Sequence, residues 1–423
     1  MKKTLALVCL FFLNAVQSWN AFGIQRFPKP EFETGYIQPE TLMPSARAEF
    51  LSYMDVMVLI ITLSFISWLV IKKRSRIGVF WTSLFSLAYF GFYREGCVCS
   101  IGSIQNISLA LFDSSYVIPV TVIAFFAIPL AFTLFFGRTF CAGVCPFGAM
   151  QDLVAFKPQK LGLRLNTVLG ILPYLYLGLA ILYAATGTDF IICRYDPFVG
   201  IFRMNASFGM FVFAGTLLVS GIFIARPYCR FLCPYGVLLN WFSRFSMKHI
   251  TITPANCIQC RLCEDSCPYD AIEIPVTEKN PDSRQVRVKK LILISVVIPF
   301  LVIAGGWTGS QIHETLAGVH SKVKLAKQVL NPAKDVNQEE TFEIQAYKSS
   351  GKPESQVYSE ALEILHKFNT GSWILGCFIG LVFGLLIAGR MLKKHNPDFV
   401  PHKGRCLSCA RCVDFCPVKV EKI

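Results

Sequence analysis

Cysteine spacing ties two distant stretches of this chain together. Cys257, Cys260, Cys263 and Cys267, followed by Pro268, stand in the pattern C-x2-C-x2-C-x3-C-P, and Cys406, Cys409, Cys412 and Cys416 with Pro417 repeat it. In this spacing three thiolates from one tight loop grip three corners of a 4Fe-4S cubane, while the fourth cysteine serves the other cluster. The pattern therefore predicts two 4Fe-4S clusters with crossed ligands: Cys257, Cys260, Cys263 and Cys416 on one, Cys406, Cys409, Cys412 and Cys267 on the other. The alternatives are zinc or uncommitted thiols, but zinc sites usually set their ligand pairs farther apart.

Between and before these runs the chain is largely apolar. Of 423 residues, 53% are hydrophobic, and several apolar runs approach the length that crosses a bilayer. The run Asp55–Ile71 ends on Lys72-Lys73-Arg74-Ser75-Arg76, a basic block that assigns this end to the cytoplasm. From that anchor the runs Ile77–Tyr93, Tyr116–Phe136, Val168–Thr186, Gly209–Ala225, Leu291–Gly306 and Trp373–Gly389 alternate outward and inward. The predicted fold is an α-helical polytopic membrane protein with seven spans, or eight if the apolar run Thr4–Val16 is retained as a span and not removed as a signal peptide. It carries a cytoplasmic two-cluster ferredoxin-like module split between a mid-chain loop and the C-terminal tail. The net charge of +14 collects at span ends, where topology accounts for it, so nucleic acid is not an expected partner and membrane lipid is. Seventeen cysteines, eight in iron-sulfur spacing, point to thiolate ligation in a reducing compartment.

The predicted organisation follows: residues 1–21 a signal peptide or first span, 22–54 a periplasmic linker, 55–225 a membrane core, and 226–290 a cytoplasmic loop with the first cysteine run. A span over 291–306 leads to a periplasmic helical segment, 307–372, with helices over 311–330 and 355–368, the second closed by Asn369-Thr370-Gly371. The last span, 373–389, leads to a cytoplasmic tail, 390–423, with the second run. This places the protein in a bacterial inner membrane, multi-pass, with clusters and C-terminus in the cytoplasm.

The core is duplicated. Arg138-Thr-Phe-Cys141-Ala-Gly-Val-Cys145-Pro-Phe-Gly148 and Arg226-Pro-Tyr-Cys229-Arg-Phe-Leu-Cys233-Pro-Tyr-Gly236 are one motif written twice, each directly after an inward run. Cysteines at i and i+4 share a face if the segment is helical, and the proline after the second starts or kinks a helix. Two such pairs could hold one metal or cluster; the alternative is small buried thiols that help helices pack. Cys97, Cys99, Cys193 and Cys377 all fall near the outer face on this topology, and three readings stay open for them: an additional metal or iron-sulfur site, a Cys99 to Cys193 disulfide, or buried packing. Arg261 and Arg411 lie inside the two runs as candidate tuning or docking charges.

The doubled R-x-[FY]-C-x-x-x-C-P-[FY]-G motif, set among spans and joined to C-x2-C-x2-C-x3-C-P runs, resembles the NosR/NapH family of membrane-bound polyferredoxins, which includes the CcoG-like proteins. The resemblance covers about Arg94 to Pro275 and the tail after Gly404. It implies that Cys257, Cys260, Cys263, Cys267, Cys406, Cys409, Cys412 and Cys416 hold two 4Fe-4S clusters, and that Cys141, Cys145, Cys229 and Cys233 are the family's membrane-edge cysteines. It also implies electron transfer between a cytoplasmic or quinol donor and a periplasmic flavoprotein, cytochrome or reductase, by an electron-transfer subunit without its own substrate site. NosR proteins carry a large periplasmic flavin domain before their spans; here residues 22–54 stand in its place, and no covalent-flavin motif is found. The alternatives are a CcoG-like copper reductase or assembly factor, in which soft thiolates hold Cu(I), and a redox-sensing membrane regulator.

Overall fold

A computed structural model describes residues 47–96, 99–156, 158–252, 257–275, 283–330, 342–391 and 398–418. The expected leader and most of the linker, together with Cys97, lie outside the described residues. The chain divides into two units, Met1–Ala48 and Glu49–Ile423, and the second holds everything that follows.

Among the described residues four helices are long and apolar enough to cross a membrane: Glu49–Lys73, Leu165–Ala185, Arg284–Gln311 and Glu354–Met391. A fifth candidate is bent, with Pro197–Arg203 and Phe208–Ser220 meeting at 111°. Two of the seven expected spans fall outside this set. Ile77–Tyr93 is an α-helix over Arg76–Ser86 that passes into π-helix over Leu87–Tyr93. Tyr116–Phe136 becomes helical only at Val120, because Pro119 is extended at φ −63° and ψ 137°, which leaves 17 helical residues. By length and composition the candidate spans among the described residues therefore number four, or five with the bent pair.

The expected stop at Asn369-Thr370-Gly371 is absent. One helix of 38 residues runs from Glu354 to Met391, joining what the sequence suggested were a periplasmic helix and a span. Gly371 serves contact instead of termination: a Cβ there would collide with the Leu182 side chain. The span expected at Leu291–Gly306 is also longer, Arg284–Gln311, with Ser283 accepting a hydrogen bond from the Val286 N–H at its start.

These two helices pack against each other backbone to backbone. Gly305 and Gly309 face Gly376 and Gly380, and a Cβ on any of the four would strike the facing main chain. Small residues at four-residue intervals let helices approach this closely in lipid, where packing and not hydrophobicity drives association. On the other side of Arg284–Gln311, Leu291, Val296, Phe300, Ile303 and Trp307 are exposed, as a lipid-facing surface requires.

A buried core built on Leu63, Ile66, Val70, Val79 and Phe90 encloses the repeated motif. The tail returns to the mid-chain loop through a short antiparallel pair, Ile272–Glu273 with Val400–Pro401, in the register Ile272 to Pro401. The His402 N–H donates to the Ala271 carbonyl at 2.7 Å.

Replacing Gly376 by leucine should lower the thermal midpoint of the detergent-solubilised protein, by the equivalent of about 1–3 kcal/mol for overpacking. Gly215→Ala, whose Cβ meets nothing within 4 Å, should leave it unchanged.

Candidate iron-sulfur site

Each cysteine run folds into the same loop. Gln259 and Arg261 in the first have φ of 53° and 62°, and Ser408 and Ala410 in the second have 53° and 60°. A short helix follows in each, Leu262–Ser266 and Arg411–Asp414. The left-handed residues wrap the backbone around the side chains, so that the Ser408 N–H reaches the Cys406 sulfur at 3.4 Å. By position in the run Arg261 corresponds to Ala410, and Arg411 to Leu262, so the two candidate charges are not equivalents.

The runs meet around two small apolar cavities. One is lined by Cys257, Cys260, Cys263 and Cys416 with Ile252 and Phe399. The other is lined by Cys406, Cys409, Cys412 and Cys267 with Ile250 and Leu407. Each cavity thus receives three thiols from one run and the fourth from the other. The thiols ring a space: among the described residues no three His, Cys, Asp or Glu side chains are grouped as ligands of one ion. A cubane takes one thiolate per iron corner, so the donors, their spread and the apolar walls fit a 4Fe-4S group. Burial pushes the Cys406 thiol up to about 12, against the Ser408 N–H.

The duplicated motif explains itself in three dimensions. In both copies the stretch is not one helix. A five-residue helix, Thr139–Gly143 or Pro227–Phe231, breaks before the second cysteine, and a new helix starts at the proline, Pro146–Val154 or Pro234–Arg244. Cys145 and Cys233 are the N-caps, at φ and ψ of −69° and 116° and of −66° and 111°, the extended region that a following proline imposes. The Gly148 and Gly236 N–H groups favour the Cys145 and Cys233 thiolates, though neither cysteine side chain makes a capping hydrogen bond.

Across the copies the motif residues interlock reciprocally. The Phe140 ring packs on Tyr235 at 5.8 Å and Phe147 on Tyr228 at 5.9 Å. Arg138 lies against Gly236 and Arg226 against Gly148, where a Cβ would stand 3.4 and 3.0 Å from a guanidinium nitrogen. Arg138 also donates to the Gly404 carbonyl at 3.1 Å and approaches the Cys141 sulfur at 3.6 Å, linking the repeat to the tail run. Gln151 donates to the Cys229 sulfur at 3.3 Å and accepts from the Tyr228 N–H at 3.0 Å. Cys141, Cys145, Cys229 and Cys233 are close enough for each charge to act on the others. Burial pushes Cys229 up to about 12, with Arg226 opposing.

Of the outer cysteines, the three among the described residues, Cys99, Cys193 and Cys377, do not form one group. Cys377 packs its sulfur against Gly306 within the close helix pair. Cys99 and Cys193 lie together at Gly102, whose N–H reaches the Cys99 sulfur at 3.3 Å and whose Cβ would stand 3.1 Å from the Cys193 sulfur.

Comparison with known proteins matches these units. A 4Fe-4S binding domain model covers residues 118–164 and again 206–253, one copy per repeat, and a second 4Fe-4S binding domain model covers 250–273. Protein NirI of Paracoccus denitrificans is 30% identical over 50% of this chain and 33% of its own length. The regulatory protein NosR of Pseudomonas aeruginosa is 26% identical over 51% of this chain and 31% of its own. The methylamine utilization ferredoxin-type protein MauN of Paracoccus denitrificans is 29% identical over 35% and 54%. These matches support a likeness to the NosR/NapH-like 4Fe-4S membrane proteins. No solved structure matches it, and it spans about a third of the length of NirI and NosR.

In this NosR-like chain the residues that sequence reasoning missed are those that dock the modules. Arg226 is fully buried. It donates to Asp152 at 2.8 and 2.6 Å, to the Cys141 carbonyl, and to the Ala142 carbonyl at 3.4 Å. Asp152 further accepts from the Tyr269 hydroxyl at 3.1 Å and faces Arg76 at 3.5 Å. Burial would raise the Asp152 carboxyl, but Arg226 and then Arg76 outweigh it and hold the group below the ordinary carboxylate range. The one signal in the sequence is weak: the position matching Asp152 in the second copy is Asn240.

Arg226→Gln strands a buried carboxylate and should cost about 3–5 kcal/mol. The loss is expected as reduced folded yield and a lower thermal midpoint; Arg226→Lys, which cannot span carboxylate and carbonyls together, should recover only part of it.

Proposed function

We propose that this chain is an iron-sulfur electron-transfer subunit of a bacterial inner membrane, with two 4Fe-4S clusters on the cytoplasmic side and a third redox or metal site at the paired cysteines. The observation that carries the reading is the crossing of the two runs around their cavities. When bound, a 4Fe-4S cluster supplies a one-electron carrier. Cys257, Cys260, Cys263 and Cys416 would hold one, and Cys406, Cys409, Cys412 and Cys267 the other. The strand pair at Ile272 and Pro401 keeps both ligand sets assembled, and Arg138 couples the tail loop to Cys141. Quinol or a cytoplasmic protein would donate, and a separate periplasmic flavoprotein, cytochrome or reductase would accept, or the reverse. Cys141, Cys145, Cys229 and Cys233 would supply the intermediate stop that a bilayer core of roughly 30 Å demands. Cys99 and Cys193 would extend the path outward or form a disulfide.

A second reading, a redox-sensing regulator, is favoured by the likeness to the regulatory protein NosR. Turnover separates the two. Purified protein that oxidises a quinol analogue and reduces a periplasmic acceptor is a carrier, while reducible clusters without turnover indicate a sensor. Stoichiometric copper on Cys141, Cys145, Cys229 and Cys233 would replace both readings with metal handling.

Deleting the tail before Arg405 should remove both EPR signals, because each ligand set loses a member; a complete surviving cluster contradicts the crossed assignment. Cys141→Ser combined with Cys229→Ser should lower total iron while leaving the two ferredoxin-type signals intact, and unchanged iron would end the case for a central site.

A further inference from the structure

A cavity of about 900 Å³ opens beside the repeat, at the large end of the range for small-molecule sites, roughly 300–1,000 Å³. Its inner wall carries Cys229 and Cys233; seven arginine or lysine side chains line it against one carboxylate, Glu273. Asp152 and Asp270 pair with Arg226 and Arg230, which leaves the lining cationic. Arg138 lines it with only 7% of its surface exposed, and its Nε has no hydrogen-bond partner; the Arg230 Nη1 is likewise buried without one. An unmet buried guanidinium N–H is costly, and an oxyanion supplies the missing acceptor in the fork geometry that arginine prefers. The opposite wall is apolar. Pro173 and Tyr174 on one candidate span, and Leu385 and Leu386 on another, run down from the charged rim.

We propose that this cavity binds a phosphate-bearing ligand, with the phosphate among Arg138, Arg230, Arg244, Lys403 and Arg405 and any acyl part along Tyr174, Leu385 and Leu386. The phosphate comes from an anionic phospholipid headgroup or from free phosphate. Because Cys229 and Cys233 form its inner wall, occupancy also closes the central thiols to water.

The test uses the full-length, iron-loaded protein in detergent, titrated calorimetrically with short-chain phosphatidylglycerol, short-chain phosphatidylcholine and inorganic phosphate. Two variants accompany it. Arg244→Gln removes an exposed rim charge, and Gly389→Leu fills the cavity from a position whose Cβ meets nothing within 4 Å. Saturable binding of one phosphatidylglycerol, at least tenfold tighter than phosphatidylcholine and weakened severalfold or more by both variants, supports the lipid source. Binding of inorganic phosphate as tight as phosphatidylglycerol, with the same sensitivity to Arg244→Gln, supports the free anion. Equal affinity for the two lipids, no saturable binding by any probe, or indifference to both variants overturns the proposal. Wild-type iron content certifies each variant as folded, and if Gly389→Leu loses iron, Arg244→Gln alone decides.

Discussion

A fully buried arginine sets the terms for the rest of the molecule. Arg226 has a positive φ of 50° directly before Pro227, a conformation that costs on the order of 1–3 kcal/mol at a non-glycine residue. What holds it is its guanidinium, fixed between Asp152 and two carbonyls of the other motif copy. Through Asp152 the same group reaches Tyr269, two residues after the last cysteine of the first run. The ion pair is thus a joint among both repeats and the cluster loop. Apolar replacements of similar volume could match its stability, but they could not fix the angle at which three backbones meet.

The reciprocity of the repeat supplies the logic of the motif letter by letter. At Gly148 a Cβ would crowd the partner copy's Arg226 at 3.0 Å, while at Gly236 it would stand in ordinary contact with Arg138 at 3.4 Å. Each glycine's N–H favours the thiolate of the cysteine three residues before it. Proline is required because it starts the helix that the cysteine caps and holds that cysteine extended. The aromatic positions exist in crossed pairs, Phe140 with Tyr235 and Tyr228 with Phe147. A single copy would leave an arginine without its carboxylate or a glycine facing a void, so neither half is complete alone.

How much of this the sequence carried depends on whether the signal was local. The left-handed turns of the cysteine loops and the proline-started helices are short-range geometry, and spacing conveyed them: the fourth thiols, Cys267 and Cys416, line the cavities of the opposite runs. The duplication was equally plain as repeated letters. Long-range facts were not legible. Asn369-Thr370-Gly371 reads as a helix stop, yet tertiary contact with Leu182 gives Gly371 another use. Cys377 shares an expected membrane depth with Cys99 and Cys193, but helix rotation, which hydropathy does not encode, turns it toward Gly306. Asp152 was passed over because nothing near it in sequence marks its partner 74 positions away.

Burial and helix geometry act in opposite directions on the central thiols, and their balance bears on how such a site is loaded. Cys145 and Cys233 cap helices of 9 and 11 residues, where the helix dipole and an N–H from the glycine favour the thiolate. Burial disfavours it more strongly, so both thiols are held well above their ordinary value. The four thiols are thus inert as they stand, because the reactive form is scarce. If the proposed cation were held there, each sulfur would exchange a proton for a metal bond, and the helix N-termini behind Cys145 and Cys233 would then stabilise the charge that burial suppresses. The reciprocal packing fixes those helix ends in advance, so such loading would require proton release and not refolding.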